Sequence, residues 1–199
     1  IADIARSFRP GIRVFFEKQN FYGKNIDKNN INKTINWMIS ILNVRDMHNG
    51  IPAAYRLLRA KSIEEAKGMI GDFITINEQR RQEIKSVVAQ MEAHLANCNE
   101  PIIFEGSDQL DLNIAGTVAS IICQKYQKPT FIYKILQTES QGTVRSPATI
   151  DSVALMKKCK NLLITFGGHP KASGFRLQNK NIAAFKQCLL ANIANINNQ

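Results

Sequence analysis

The chain has 199 residues, of which 44% are hydrophobic, and a formal net charge of +10 at pH 7. This length suits one large domain or two small ones, and the hydrophobic fraction is that of a globular protein. No apolar run approaches the roughly 20 residues of a membrane span, and Asp3, Arg6 and Arg9 interrupt any secretory signal. The chain begins at Ile1 rather than methionine, which favours a fragment or a trimmed chain.

Charge and cysteine usage narrow the class of protein. Lysine and arginine number 26 against 16 aspartate and glutamate, which favours a polyanionic partner such as nucleic acid; a solvated basic surface is the alternative. The four cysteines are widely spaced and form no CxxC pair for zinc: Cys98, Cys123, Cys159 and Cys188. We therefore expect reduced, mostly structural thiols in a cytoplasmic protein.

The first hundred residues carry helical patterns. Arg9-Pro10-Gly11 predicts a turn or a helix start, and Ser62 followed by Glu65 is typical of a capping box that begins a helix running to about residue 96. A helix of this length is typical of a connector between compact parts, although two shorter packed helices fit nearly as well. Between these segments, apolar residues repeat on one face of a predicted buried helix: Ile31, Ile35, Met38, Ile39 and Leu42.

After Pro101 the pattern changes to alternating strands and helices. Strands are predicted at 102–104, 130–136, 141–145 and 173–177, and helices at 114–126, 151–158 and 182–193. This alternation predicts an α/β fold in which a mixed β-sheet is flanked by helices. We expect a helical connector region over 1–99 and an α/β substrate-binding domain over 100–199.

The segment 167–174, GGHPKASG, is the sharpest local feature. Gly167 and Gly168 allow a turn with positive φ and close approach to a ligand, and successive N–H groups in such a turn form an anion nest. His169 adds a donor, Lys171 adds a point charge, and the small Ser173 keeps the wall open. The segment suits a phosphate or a nucleotide backbone; a glycine turn with an incidental histidine is the alternative.

Two further features are weaker when taken alone. Arg145 ends a predicted strand, where its guanidinium can hold a phosphate by two hydrogen bonds and Ser146 can add a hydroxyl; a surface arginine is the alternative. Gly116 permits either close helix packing or the approach of a ligand to a helix start. His48 and His94 have no partner at metal-binding spacing.

The order of these segments resembles the C-terminal portion of the RecJ-like DHH phosphoesterases, which are single-stranded-DNA-specific exonucleases. Their DHH-associated domain ends in a GGHxxAAG motif, which 167–174 matches with Ser173 in place of one alanine. The Arg145-Ser146 pair fits the Arg-Ser pair of the family, and 115–120 fits its VGxVAS helix. The resemblance covers nearly the whole chain.

The resemblance implies that this chain holds the phosphates of single-stranded nucleic acid and supplies no catalytic residue, metal or cofactor. It implies Mn²⁺ or Mg²⁺ in a separate DHH domain, whose motifs have no counterpart here. Departures at Asp46, Met47 and 109–111 favour an archaeal-type or degenerate relative. Two alternatives stay open: a non-catalytic protein that binds DNA or docks on GINS or other replication proteins, and a phosphoesterase for short oligonucleotides or cyclic dinucleotides.

Overall fold

The computed structural model describes residues 10–17, 28–96 and 99–196. Contacts divide the chain into two compact units, Ile1–Gln82 and Glu83–Gln199. The division falls inside one long helix, whereas the boundary expected near residue 100 lies just after that helix ends. The organisation into a connector region and a substrate-binding domain stays a prediction.

The first unit consists of helices and one small hairpin. Its elements are α1 (Pro10–Glu17), α2 (Lys28–Leu42), β1 (Met47–His48), β2 (Ile51–Pro52), α3 (Ala53–Leu58) and the first part of α4 (Ile63–Leu95). Asn49 and Gly50 form the two-residue turn between β1 and β2, with φ angles of 49° and 76°. Ile41, Leu57 and Phe73 lie at the centre of the buried core.

The capping box and the long helix are confirmed. Ser62 Oγ accepts a hydrogen bond from the Glu65 N–H at 3.1 Å. The Glu65 carboxylate accepts one from the Lys61 N–H at 2.7 Å, one residue earlier than in the usual reciprocal pair. Helix α4 is then continuous for 33 residues, so the alternative of two shorter helices is wrong.

The predicted buried face of α2 is partly wrong. Ile35 and Ile39 are exposed, because the helix turns the face with Trp37, Met38 and Ile41 toward the core. Leu42 packs against this core as expected. The side chain of Ile31 lies outside the described part of the chain.

The second unit is an α/β domain, which confirms the predicted fold class. After the end of α4 its elements are β3 (Ile103–Ser107), α5 (Leu112–Tyr126), β4 (Thr130–Ile135), β5 (Glu139–Arg145), α6 (Ser152–Lys158), β6 (Thr165–His169), β7 (Ala172–Gln178) and α7 (Ile182–Ile196). The strands form one mixed sheet in the order β3-β4-β5-β7-β6. Strands β3 and β4 are parallel, and every other neighbouring pair is antiparallel.

Helices cover the two faces of this sheet unequally. On one face α6 and α7 bury an aromatic cluster in which Phe131, Phe175 and Phe185 contact one another. On the other face α5 and the end of α4 pack on Ile103 and Ile132. Helix α5 contacts β4 and β5, and the same face of β6 and β7 stays largely exposed. This uneven coverage leaves an open strip of sheet beside α5. The strip consists of the residues of β6 and β7 on that face: Thr165, Gly167, His169, Ala172, Gly174 and Arg176.

The turn predicted at the two glycines is wrong. Gly167, Gly168 and His169 belong to β6, and the turn is formed by Pro170 and Lys171. Of Gly167 and Gly168, only Gly168 has a positive φ, of 133°. The segment pairs residue by residue with β7, so its N–H groups do not converge as in a nest.

The expectation of reduced thiols is wrong for two cysteines. Cys159, just after α6, and Cys188, in α7, form a disulfide with Cα atoms 6.0 Å apart. Packing of α6 beside α7 brings together positions 29 residues apart, a proximity that sequence spacing does not reveal. Cys123 is a buried free thiol, and Cys98 lies outside the described residues.

None of the described helices combines the length and apolar character needed to cross a membrane.

Candidate nucleic-acid interface

Arg145 stands at the end of β5 and is held against α5 by hydrogen bonds. Its Nε donates to Ser120 Oγ at 3.1 Å. Its Nη1 donates to Thr143 Oγ1 at 3.0 Å and to the Val144 carbonyl at 2.9 Å. The Ser120 hydroxyl itself donates to the Gly116 carbonyl at 2.9 Å. These bonds fix the plane of the guanidinium without using its Nη2 atom.

Gly116 makes room for this guanidinium. A Cβ at position 116 would lie 3.0 Å from Arg145 Nη2, tighter than about nine in ten Cβ contacts, so the end of the arginine would have to shift by a few tenths of an ångström. The sequence left two roles open for Gly116, close helix packing or the approach of a ligand. In the structure Gly116 lies against Arg145 Nη2, and its lack of a side chain leaves space for the guanidinium.

Ser146 carries a buried hydroxyl that no described residue pairs with. Its backbone N–H donates to the Lys171 carbonyl at 3.1 Å, which ties the end of β5 to the β6–β7 turn. The residue is 7% exposed, and its Oγ has no hydrogen-bond partner within 10–17, 28–96 and 99–196. Leaving a hydroxyl buried and unpaired costs about 1–3 kcal/mol. Such a group suits a site in which a ligand supplies the missing bond.

These residues line a cavity of about 240 Å³. Arg145 and Lys171 carry positive charge, and none of the eight lining residues is acidic. Burial raises the pKa of the Cys123 thiol, and the nearby Arg145 guanidinium opposes that shift, so the thiol is neutral at pH 7. The lining residues are Ser120, Cys123, Gln124, Gln127, Arg145, Ser146, Pro147 and Lys171. The cavity therefore suits an anion and not a divalent metal ion.

Sequence reasoning missed the two glutamines of the cavity. Gln127 ends α5 in the left-handed conformation, with φ 54°, and its side chain donates to the Gln124 carbonyl at 2.7 Å. The sequence did contain a signal that could have pointed to Gln124, because Gly116, Ser120 and Gln124 are spaced four residues apart and share one helix face. That face is the one that turns toward Arg145.

The open strip of sheet lies on the same face as Arg145. Arg145 pairs with Ala172 in register, and His169 pairs with Ala172 from the other side. Gly167, His169 and Ala172 are exposed. A Cβ at Gly167 would meet nothing within 4 Å, so the fold itself does not require glycine there. A surface of small residues beside two cations leaves space for an extended ligand.

Gly168 has a different role from its neighbour. Its φ of 133° lies in a region that L-residues avoid, and a Cβ there would stand 2.7 Å from the Ala172 carbonyl oxygen and the Ser173 Cα. This glycine is therefore required for the strand to pair closely with β7.

Ser173 lies apart from the cavity, on the opposite face of the sheet. Its Oγ is 2.6 Å from Ser152 Oγ, and Ser152 Oγ donates to the Pro170 carbonyl at 2.7 Å. Because the Ser152 hydroxyl has a single proton, Ser173 is the donor in the pair. The Ser173 hydroxyl is thus engaged inside the protein, where it holds the β6–β7 turn against the start of α6.

No group of three or more histidine, cysteine, aspartate or glutamate side chains within residues 10–17, 28–96 and 99–196 is arranged to hold a metal ion.

Comparison with known proteins identifies relatives by sequence. No family model matches the chain. It is 30% identical over 133 residues to the single-stranded-DNA-specific exonuclease RecJ of Thermus thermophilus, over 67% of this chain and 19% of that protein. It is 22% identical over 140 residues to the RecJ of Bacillus subtilis, over 65% of this chain and 17% of that protein. The chain thus spans about a fifth of the length of these curated relatives.

Solved structures of RecJ proteins resemble this chain over nearly its whole length. A crystal structure of exonuclease RecJ bound to manganese superposes with a TM-score of 0.75 and 25% identity, over 97% of this chain and 47% of that one. RecJ from Thermus thermophilus in complex with Mg²⁺ superposes with a TM-score of 0.75 and 26% identity, over 98% of this chain and 30% of that one. The chain is a distant homologue of the RecJ exonucleases and corresponds to a part of a RecJ protein.

Proposed function

We propose that this chain is the substrate-binding part of a RecJ-like nuclease and that it binds a phosphate of single-stranded nucleic acid in the cavity beside Arg145. The observation that carries the proposal is a cavity whose lining residues include two cations and no acid. The negative charge of a phosphate would offset these cations, and Ser146, which also lines the cavity, has a hydroxyl that no described residue pairs with and that is a further donor for a phosphate oxygen. The preference for a single strand is supported by the two RecJ relatives, which are single-stranded-DNA-specific exonucleases.

Each residue then has a defined part in binding. Arg145 lines the cavity while Ser120 and Thr143 hold its Nε and Nη1 atoms, so little side-chain entropy is lost when the ligand binds. Lys171 adds a point charge at the turn. Gly167 and His169 would contact a neighbouring part of the backbone along the open strip.

Hydrolysis in this proposal belongs to metal ions held by a DHH domain of a longer protein. The proposal draws on the RecJ crystal structures, which were determined with manganese or magnesium. The cavity of this chain does not fit a divalent cation, because Arg145 and Lys171 would repel it. The residues described here therefore orient phosphates and offset negative charge, and we assign no proton transfer to them.

A salt-dependent titration tests the proposal. Fluorescence anisotropy of a labelled oligothymidine should show binding by the chain that weakens steeply as salt rises. Arg145→Ala should lower the affinity and reduce the slope of log affinity against log salt by about 0.7, the contribution of one phosphate contact on a single strand.

Lys186→Ala is the control. Lys186 is also a cation of the second unit, but it lies in α7 on the opposite face of the sheet, where its ammonium is paired with Glu100 at 2.7 Å. We expect the control to keep the wild-type slope. An affinity that does not fall as salt rises, or an equal loss of affinity in both variants, would contradict the proposal.

A further inference from the structure

A second exposed surface, in the first unit, carries an aromatic side chain among cations. Tyr55 in α3 is 50% exposed, and the Arg59 guanidinium lies 5.6 Å from the centroid of its ring. The hairpin before α3 also exposes Met47, at 62%, and Ile51, on its two opposite faces. An exposed aromatic ring with a cation over it is the feature of this surface that suits a ligand.

The sequence around Tyr55 carries a small excess of cations, with four cations and three acids between 43 and 65. Of the acids, Asp46 forms an ion pair with Arg56, and Glu64 and Glu65 lie at the start of α4. The Arg56 guanidinium also stacks 5.7 Å from the ring centroid of the buried Phe73, so this pair belongs to the packing of the unit. Three exposed cations remain in the same stretch: Arg45, Arg59 and Lys61. The surface therefore favours a polyanion over a neutral partner.

We propose that this surface is a second contact for single-stranded nucleic acid, in which an unpaired base stacks on Tyr55. Aromatic rings provide sequence-tolerant stacking platforms, and neighbouring cations contact the backbone. Arg59 lies over one face of the ring and restricts its rotation, which reduces the entropy lost when a base stacks on the exposed side. The inference takes its class of ligand from the proposed function but uses none of the residues around Arg145.

Cross-linking gives a direct test on the whole chain. Oligothymidine in which one thymine is replaced by 5-iodouracil is bound at low salt and irradiated, and the linked peptide is identified by mass spectrometry. Iodouracil links to an aromatic ring that it stacks on, so we expect the peptide that contains Tyr55. An acidic protein partner would use the same cations without producing this cross-link.

Affinity measurements on variants give a second, quantitative test. Tyr55→Ala should weaken oligothymidine binding by about 5- to 150-fold, the range for losing one base–aromatic stack. Tyr55→Phe keeps the ring and should bind like the wild type. Leu58→Ala, which removes another exposed apolar side chain of the same helix, should also bind like the wild type.

The outcomes separate this inference from the proposed function. If Tyr55→Ala binds like the wild type and the cross-links map elsewhere, the inference is wrong, even where Arg145→Ala weakens binding. If the cross-link maps to Tyr55 while Arg145→Ala leaves the affinity unchanged, the proposed phosphate site beside Arg145 is wrong and the proposed contact at Tyr55 is supported. A wild-type chain that binds no oligonucleotide at low salt contradicts both.

Discussion

Replacing each glycine of the β6 pair by alanine separates a structural requirement from a binding requirement. Gly168 has a φ of 133°, and a Cβ on it would stand 2.7 Å from the Ala172 carbonyl oxygen and the Ser173 Cα. Gly167, the adjacent residue, has no atom within 4 Å of the Cβ position. Gly168→Ala should therefore destabilise the second unit, whereas Gly167→Ala should leave its stability unchanged.

The size of the effect follows from the backbone conformation and the contact. Holding a non-glycine residue in so sparsely populated a region costs about 1–3 kcal/mol. The 2.7 Å approach to backbone atoms adds to this, because neither β7 atom belongs to a side chain that can rotate away. At about 4 °C per kcal/mol for a domain of roughly this size, Tm should fall by about 4–12 °C.

Thermal unfolding followed by circular dichroism measures this difference, with oligothymidine binding measured on the same samples. We expect Gly167→Ala to keep the wild-type Tm and to bind more weakly, because its methyl group projects into the open strip. Equal Tm values for Gly168→Ala and wild type would refute the strand geometry. A fall in Tm for Gly167→Ala as large as that for Gly168→Ala would refute the distinction between the two glycines.

Three further experiments test other parts of the structure. Ser152→Ala leaves the Ser173 hydroxyl buried without its acceptor, so urea denaturation should show a loss of about 1–3 kcal/mol, and the double variant with Ser173→Ala should lose less. Burial raises the pKa of Glu105, so its folded form holds the proton more tightly and stability is lost as pH rises through the folded pKa. Glu105→Gln should therefore exceed the wild type in urea midpoint near neutral pH, and the difference should vanish below the ordinary glutamate range. Peptide mapping without reductant should recover Cys159 linked to Cys188, and recovery of both as free thiols would contradict the structure.

The regular elements of the second unit were predictable from the sequence, because local patterns determine them. The strand at Thr130–Ile135 and the helix at Leu112–Tyr126 have the β-branched and periodic apolar residues that such elements require. The capping box before α4 was predictable for the same reason, since its bonds join residues within one turn. In each case the interaction that forms the element spans only a few positions.

Features that depend on contacts distant in sequence were not predictable in this way. The disulfide depends on the packing of α6 beside α7, and the exposure of Ile35 and Ile39 depends on which face of α2 meets its neighbours. The glycines at 167 and 168 suggested a turn because glycine is common in turns, yet here they form an edge strand that pairs with β7. A single sequence does not show which elements become neighbours.

Strand pairing explains why two motifs more than twenty residues apart act as one candidate site. In the β5–β7 register Arg145 lies opposite Ala172, and the Ser146 N–H donates to the carbonyl of Lys171. A change in the β6–β7 turn must therefore move the wall of the cavity that holds Arg145. The small side chain of Ala172 matters in the same way, because a larger one at that position would stand beside the guanidinium and narrow the path between the cavity and the open strip. Since the chain returns from α6 to this edge of the sheet, the cation at the end of β5 and the glycines of β6 border a single surface, and a phosphate backbone that contacts one of them comes within reach of the other.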